Sequence, residues 1–249
     1  MTQLIVDNVS QKVTVKSHTV EILKDVSFTV GSNEFVAVVG PSGSGKTTLG
    51  RIIAGLEKPA SGKVILDGLE VNQPTEKISV VFQSFGLLPW KTALENIELA
   101  LMGKPEIQKK KIALHFLNMV GLDGFEDHYP DELSGSMRQR VGLARALASD
   151  PRILIMDEPF SSLDRLTRIY LEEQMKEIMQ NPTAPPDSII MLTHDVEEAV
   201  MLATRVIVLS NRPGMIKTDT KIEMPLTKRD RKKRDFRQLV DFFTSIMTS

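Results

Sequence analysis

Residues 40–48 read GPSGSGKTT, and their types and spacing are typical of a loop that binds phosphate groups. Two glycines separated by four residues are followed directly by Lys46 and Thr47. Small residues allow successive backbone N–H groups to turn towards phosphate oxygens. Lys46 is expected to reach the β- and γ-phosphates of a nucleotide, and Thr47 to offer its hydroxyl to Mg²⁺.

The segments on either side of this loop have the composition needed to position it. Residues 35–39, FVAVV, predict a buried strand, and residues 49–54, LGRIIA, predict a helix. The N-terminus of that helix would add a partial positive charge beside the phosphates. A glycine-rich turn with a chance Lys-Thr pair is the alternative, and the strand before and helix after the loop argue against it.

Two carboxylates follow another apolar run, at residues 152–158 (RILIMDE). The run predicts a buried parallel strand. Asp157 at its end would hold Mg²⁺ directly or through water, because hard cations take oxygen ligands. Glu158 could orient or deprotonate a water molecule beside the γ-phosphate. The other interpretation is a pair of solvated acidic residues at a strand end.

Two further polar residues directly follow predicted strands. His194 comes after the strand at 188–192, and Gln83 comes after the strand at 78–82. A lone histidine is usually structural, but at the carboxyl edge of a parallel sheet it can contact a bound ligand. His194 is therefore predicted to hydrogen-bond the γ-phosphate and the attacking water.

Composition excludes several classes of protein. The chain has 249 residues, enough for one large α/β domain or one domain with an inserted subdomain, and its 41% hydrophobic and 25% charged residues are an ordinary globular balance. A net charge of −1 argues against a nucleic-acid partner. The absence of cysteine excludes disulfides and thiolate chemistry. No apolar run approaches the ~18 residues of a membrane span, and the start does not resemble a signal peptide.

The remaining pattern predicts a mixed N-terminal third and a helical middle. Residues 3–9 and 13–15 indicate a hairpin or two short strands, 20–30 another strand, and 63–66 a strand ending at the turn Asp67-Gly68. Residues 91–148 are mostly helical. Within them, one helix face is predicted to carry Ile107, Leu114, Leu117 and Val120.

The C-terminal third is predicted to alternate again between helices and strands. Helices are expected at 166–179 and 196–203 and a strand at 206–209. A turn is expected at 211–214. The charged stretch 228–237 is interpreted as a solvated helix face, with membrane or nucleic-acid contact as the alternative.

Taken together, these motifs resemble those of ATP-binding cassette (ABC) ATPase subunits over nearly the whole chain. The resemblance rests on GPSGSGKTT at 40–48, Gln83, LSGSM at 133–137, ILIMDEP at 153–159, SSLD at 161–164 and His194. It implies an α/β fold: a P-loop NTPase core with an antiparallel β subdomain and an inserted α-helical subdomain. A single domain 1–249 would comprise a RecA-like core (about 1–85 and 151–220), a helical subdomain (about 86–150) and a short charged tail (221–249).

The resemblance also implies the residues of the site. In this family two cassettes dimerise head to tail around two ATP molecules, so each nucleotide contacts both subunits. The implied nucleotide contacts are Gly40, Pro41, Ser42, Gly43, Ser44, Gly45, Lys46, Thr47 and Thr48 of one subunit and Ser134, Gly135 and Ser136 of the other. The implied Mg²⁺ ligands are Thr47, Gln83 and Asp157, and the implied catalytic residues are Glu158, His194 and Gln83.

Two departures from the family pattern bear on activity. In the signature segment, LSGSM at 133–137, Ser136 replaces the second glycine of the family pattern. Its side chain could crowd the γ-phosphate and slow hydrolysis, or its hydroxyl could compensate for the lost glycine. The family usually stacks adenine on an aromatic residue after the first strand, and the nearest residues here are Val13 and Val15. Looser base selectivity is expected.

Within the family the chain is similar to importer subunits for nitrate, sulfonates and taurine, as in FGLLPWKTALENI at 85–97. The implied partners are transmembrane permease subunits, a second ABC subunit in a homodimer or heterodimer, and indirectly a solute-binding protein, without nucleic acid. The implied place is the cytoplasmic face of the inner membrane, peripherally bound. Residues 85–90 would form a docking surface; alternatively Trp90 caps the core of the helical subdomain.

Two other functions remain open from the sequence. One is a nucleotide-binding regulatory module that hydrolyses ATP weakly, which Ser136 favours. The other is a soluble ABC ATPase outside transport. Such proteins usually carry two cassettes or a long coiled-coil insertion, and this sequence has neither.

Overall fold

A computed structural model describes residues 2–15, 18–82, 86–180 and 186–249. The chain forms two compact units, residues 1–75 with 187–249 and residues 76–186. The division into core, helical subdomain and tail made from the sequence stays a prediction. In chain order the elements are β1 (Thr2–Val15), β2 (His18–Gly31), β3 (Phe35–Val39), α1 (Lys46–Ile53), β4 (Ser61–Leu66), β5 (Leu69–Glu70), β6 (Ile78–Val81), α2 (Ala93–Glu98), α3 (Glu106–Met119), α4 (Gly135–Ala148), β7 (Ile153–Asp157), α5 (Arg165–Gln180), β8 (Ser188–Thr193), α6 (Val196–Leu202), β9 (Arg205–Leu209), β10 (Ile216–Lys221) and α7 (Arg234–Thr248).

An antiparallel sheet with the strand order β2-β1-β4-β5 forms one layer of the first unit. The prediction of a hairpin or two strands within residues 3–15 is wrong, because both segments belong to β1 and pair with β2. Register shifts around Val9 break the alternation of inward and outward side chains, which made one strand read as two. The predicted turn is confirmed: Asp67 and Gly68 both have positive φ, as a type I′ turn requires.

The other layer of the first unit has the strand order β10-β9-β3-β8. β3 pairs in parallel with both β8 and β9, whereas β10 is antiparallel. Every residue of β3 and β8 is buried, which explains their continuous apolar sequences. Because Val39 lies opposite Thr193, the segments that follow these two strands leave the sheet at the same edge.

Among its described residues, the second unit combines the parallel pair β6 and β7 with the α-helices α2 to α5. Thr92 and Glu95 form a reciprocal capping box that starts α2. The helix predicted near 107–120 is confirmed as α3, but its predicted apolar face is partly wrong: Ile107 is 87% exposed, whereas Leu117 is buried. Ten residues separate them, which places Ile107 about 80° around the helix from Leu117.

The C-terminal segment packs against the first unit through α7, which contacts α6 and β9 and buries Phe236 and Phe243. The prediction of a solvated helix face over 228–237 is partly wrong: Arg234 and Arg237 are exposed on α7, but the helix begins only at Arg234 and Arg229 is 7% exposed. Burial lowers the pKa of Arg229 to about 10. Within the described residues, no helix combines the length and hydropathy needed to cross a bilayer.

Candidate nucleotide-binding site

Residues 40–45 lead from the end of β3 to the start of α1. Gly43 and Gly45 have φ of 81° and 93°, a conformation that glycine adopts without steric cost. Gly45 is the N-cap of α1, and its carbonyl accepts a hydrogen bond from the amide of Leu49 at 2.8 Å. The loop therefore ends at a helix N-terminus, where backbone amides and the helix dipole favour an anion.

The Lys46 side chain folds back over this loop. It is 7% exposed, and its Nζ donates to the carbonyls of Gly40 (2.7 Å) and Pro41 (3.1 Å). The ammonium group is thus held at the loop, where it can meet phosphate oxygens. Thr47, which directly follows Lys46, is exposed.

Ser44 has a buried hydroxyl that is suited to bind a ligand. The residue is 1% exposed, and no hydrogen-bond partner for its Oγ exists in the part of the chain that the structure describes. A Cβ added at Gly40 would lie 2.8 Å from this oxygen, so glycine there leaves it room. A buried hydroxyl without a partner costs about 1–3 kcal/mol, which a phosphate oxygen would recover. The residues of the loop therefore fit a bound phosphate group.

Gly214 supports the phosphate loop from behind. A Cβ added at this glycine would lie 2.1 Å from the carbonyl oxygen of Ser44, so no side chain fits between the turn and the loop. Its amide donates to the carbonyl of Ile22 at 2.8 Å, and its carbonyl accepts from the amide of Lys24 at 3.0 Å. The turn that contacts the loop is therefore fixed to β2.

His194 lies at the same sheet edge as the loop. Gly40 directly follows Val39, and His194 directly follows Thr193, and these two strand ends pair in parallel. His194 is exposed, and Asp195 after it accepts hydrogen bonds from two backbone amides to cap α6. The histidine is thus held between a strand end and a capped helix.

Asp157 and Glu158 occupy the end of β7 in the second unit. Asp157 is 5% exposed, and Glu158 has φ of 52°, in the left-handed region. A non-glycine residue there costs on the order of 1–3 kcal/mol, and such residues cluster at functional sites. The Glu158 carbonyl accepts hydrogen bonds from Gln139 Nε2 (3.1 Å) and the Ser161 hydroxyl (3.0 Å), which hold this conformation.

The signature segment, LSGSM at 133–137, leads into the start of α4. Ser134 is the N-cap, and its Oγ accepts a hydrogen bond from the amide of Met137 at 3.2 Å. The Ser136 Oγ lies 3.0 Å from the Ser134 Oγ. A Cβ added at Gly135 would meet no described atom within 4 Å, so space adjoins this helix start.

Asp164 lies where the SSLD segment ends and α5 begins. Its carboxylate accepts hydrogen bonds from the hydroxyl and amide of Thr167 and from the amide of Leu166. These bonds, chiefly the one from the Thr167 hydroxyl, hold the pKa of Asp164 below its usual value. The carboxylate therefore keeps the start of α5 fixed next to the SSLD segment.

The predicted site residues fall into two sets. Residues 40–48 and His194 belong to the first unit, and residues 134–136, Asp157 and Glu158 to the second. Gln83 lies outside the described residues. The catalytic, metal-binding and nucleotide-binding roles of all these residues stay predictions.

The family model for the ABC transporter matches residues 23–161, more than half of the chain. The chain belongs to the ABC transporter family. The resemblance found in the motifs is thereby confirmed, and the matched range contains the phosphate loop, the signature segment and the strand that ends at Asp157.

Two relatives within this ABC family are named for import. The chain is 47% identical over 196 residues to a taurine import ATP-binding protein of Yersinia pestis, which covers 78% of this chain and 76% of the relative. It is 44% identical over 224 residues to a nitrate import ATP-binding protein of Synechocystis, which covers 89% of this chain and 83% of the relative.

A solved ABC cassette shares the fold. It is a dimer in a post-hydrolysis state bound to ADP and phosphate, and it matches with a TM-score of 0.81 at 32% identity. The match covers 89% of this chain and all of that one. The predicted fold class, an ABC ATPase with an antiparallel sheet and helical elements, is confirmed.

Two predictions outside the catalytic residues concern exposure. Trp90 is 70% exposed, so the interpretation that it caps the core of the helical subdomain is wrong. Val13, a residue proposed to face adenine, is 42% exposed on β1.

Three residues around the ABC motifs were not singled out from the sequence. Gly214 supports the phosphate loop, and Arg212 Nε donates to the Gly43 carbonyl at 3.3 Å. Gln139 is 3% exposed and contacts the Glu158 backbone. The Arg-Pro-Gly sequence at 212–214 was a usable signal, because such a turn directly follows a buried parallel strand.

Proposed function

We propose that this chain is the ATP-hydrolysing, energy-coupling subunit of a membrane importer for a small solute of the nitrate, sulfonate or taurine class. The observation that carries the proposal is the phosphate loop, in which Lys46 and the buried hydroxyl of Ser44 meet the helix N-terminus. Family membership and the relatives named for taurine and nitrate import support it.

The loop residues bind ATP in this proposal. The backbone amides of 40–48 and the Lys46 ammonium bind the phosphates. Thr47, Gln83 and Asp157 would hold Mg²⁺, which neutralises charge on the phosphate oxygens when bound. All three present oxygen atoms, the ligand type that this ion prefers.

Glu158 and His194 act on the attacking water in this proposal. Glu158 orients the water and accepts its proton while the water oxygen bonds to the γ-phosphorus and ADP leaves. His194 donates a hydrogen bond to the γ-phosphate and positions the same water. The products are ADP and inorganic phosphate.

A second ABC subunit completes each site in this proposal. Ser134, Gly135 and Ser136 of one subunit contact the γ-phosphate of the ATP bound by the other, through a helix N-terminus and hydroxyl groups. The dimeric solved cassette supports this arrangement. The second subunit is an identical copy or a sister subunit.

The permease subunits are the membrane partners in this proposal. The exposed Trp90 is the last residue of the segment 85–90 expected to receive them, and aromatic residues are enriched where proteins bind one another. The subunit then lies peripherally at the cytoplasmic face of the membrane, and a solute-binding protein acts on the complex from the other side. No nucleic acid takes part.

The test replaces the proposed base. In the complex with its permease, Glu158→Gln is expected to bind ATP with an affinity within about threefold of the parent. Its turnover should be lower by a factor of at least about 100, in the range that proton-transfer catalysis contributes. Glu177→Gln, an exposed position on α5, is the matched control and should keep parental turnover. Parental hydrolysis by Glu158→Gln would disprove the assignment of the base.

A weakly hydrolysing regulatory module is the second candidate. The contact between the Ser134 and Ser136 hydroxyls favours it, because a signature hydroxyl bonded within its own helix is less available to a phosphate. A steady-state ATPase assay on the complete complex distinguishes the two candidates.

A further inference from the structure

The carbonyl of Glu158 is the centre of a small hydrogen-bond network. It accepts bonds from Gln139 Nε2 (3.1 Å), the Ser161 hydroxyl (3.0 Å) and the Ser161 amide (3.3 Å). The carboxylate of Glu158 projects from the same residue, whose φ is 52°. Whatever moves this carbonyl therefore rotates the residue that carries the proposed base.

Gln139 is bonded at both ends of its amide. Its Oε1 accepts a hydrogen bond from the Ser162 hydroxyl, and its Nε2 donates to the Glu158 carbonyl. A backbone carbonyl can only accept, so the chemistry itself fixes which end of the amide faces Glu158. The side chain is 3% exposed, so water competes little for these bonds.

Gln139 also belongs to the helix that the signature segment starts. α4 runs from Gly135 and is capped by Ser134, so Gln139 lies in its second turn. A helix turn moves nearly as a rigid body, because each residue is bonded to the one four positions away. A displacement of the helix start is therefore transmitted by one side chain to the Glu158 backbone and to Ser162.

We propose that Gln139 is a positioning residue that couples the two ATP sites of the dimer. The coupling rests on the proposed function, in which the signature segment contacts the ATP of the second subunit and Glu158 acts on the ATP of its own. When the start of α4 closes on the ATP of the second subunit, the Glu158 backbone is then positioned for the ATP of its own subunit. The three segments joined in this way are the helix start, the base and the SSLD segment.

The structure offers variants that cut this network at defined bonds. Gln139→Glu keeps an oxygen for the Ser162 hydroxyl but places a second oxygen against the Glu158 carbonyl. Ser162→Ala removes only the bond to Oε1. Gln108→Glu, exposed on α3, is the control for the added charge.

The experiment measures ATPase rate against ATP concentration in the intact complex. Gln139→Glu should lower kcat at least about tenfold, since a misplacement of about 1 Å can cost about a hundredfold. Its KM for ATP should stay within about twofold, and its Hill coefficient should fall to about 1, the value for independent sites. Ser162→Ala should show a smaller change in the same direction, and Gln108→Glu none.

A second measurement separates positioning from loss of folding. Hydrogen exchange in the Gln139→Glu complex should accelerate at the Ser161 amide, which donates to the Glu158 carbonyl, while the complex stays folded at the assay temperature. A parental kcat and Hill coefficient in Gln139→Glu overturn the proposal. So does a loss of rate that follows a loss of folded protein. A parent complex without ATPase activity instead refutes the proposed function and, with it, this coupling.

Discussion

At the scale of single residues, two of the predicted site residues are held in states that cost free energy. The Ser44 hydroxyl is buried without a described partner, and Glu158 is held in the left-handed region. Each state costs on the order of 1–3 kcal/mol of folding free energy, so a protein without a ligand would be more stable if these residues were replaced. The buried Ser44 hydroxyl within the loop at 40–48 is physical support for a bound phosphate group, and strained residues such as Glu158 cluster at functional sites.

Ser136→Gly tests the departure in the signature segment. The Ser134 Oγ already accepts from the Met137 amide and lies within hydrogen-bond distance of the Ser136 Oγ. Without that neighbour its proton is available to a phosphate. Turnover in the complex should rise about 2–10-fold, the equivalent of one hydrogen bond of about 0.5–1.5 kcal/mol. Steady-state ATPase kinetics measure it.

Ser136→Ala is the matched control for this prediction. It removes the hydroxyl but keeps the Cβ, so a rise in both variants assigns the effect to the hydrogen bond and a rise in glycine alone assigns it to crowding. A slower rate in both would mean that the Ser136 hydroxyl itself contacts the phosphate and that the prediction is wrong.

At the scale of elements, the phosphate loop depends on a turn far away in sequence. Gly214 lies in the turn that follows β9. It forms two backbone hydrogen bonds with β2 and contacts the phosphate loop at Ser44. β2, the turn and the loop therefore form one supporting stack in the first unit.

Gly214→Ala is expected to weaken nucleotide binding by about tenfold. Its Cβ would lie 2.1 Å from the Ser44 carbonyl, so the loop or the turn must shift, and overpacking of this kind typically costs about 1–3 kcal/mol. Titration with a fluorescent ATP analogue measures the affinity. Gly68→Ala is the control for a general loss of stability: an added Cβ there meets no described atom within 4 Å, but the φ of 80° makes alanine strained. An unchanged affinity in Gly214→Ala would show that the contact relaxes without effect on the loop.

These elements also explain what the sequence could predict. The loop at 40–48 and the strands at 35–39 and 188–193 were predictable because glycine spacing and continuous apolar runs are local signals. The bonds of Gln139 and Gly214 were not, because each partner lies many residues away and no local pattern pairs them. The bulged β1 was misread because register shifts interrupt its alternation.

At the scale of the whole molecule, the C-terminal segment is part of the first unit rather than a solvated appendage. Arg229 anchors it with four hydrogen bonds: Nε and Nη2 donate to the Met224 carbonyl, and Nη1 donates to those of Val200 and Ala203. The last two carbonyls belong to the end of α6, where helices leave acceptors unsatisfied. One cation thus ties the approach to α7 to the helix that follows His194.

Arg229→Met should lower the free energy of unfolding by about 2–4 kcal/mol, because buried carbonyls lose their donors. The melting temperature should fall by roughly 4–16 °C for a chain of this size. Calorimetry measures it. Arg231→Met is the control: Arg231 forms a more exposed pair with Glu197, and such pairs contribute about 0–1 kcal/mol. Equal losses in the two variants would contradict the anchoring role.

Trp90 has a practical consequence that follows from its exposure. It is the only tryptophan of the chain, and 70% of its surface meets solvent at the segment expected to face the permease. Indole emission depends on the polarity around the ring. The emission wavelength of Trp90 should therefore report the solvent exposure of this segment during each transport cycle, without an attached dye.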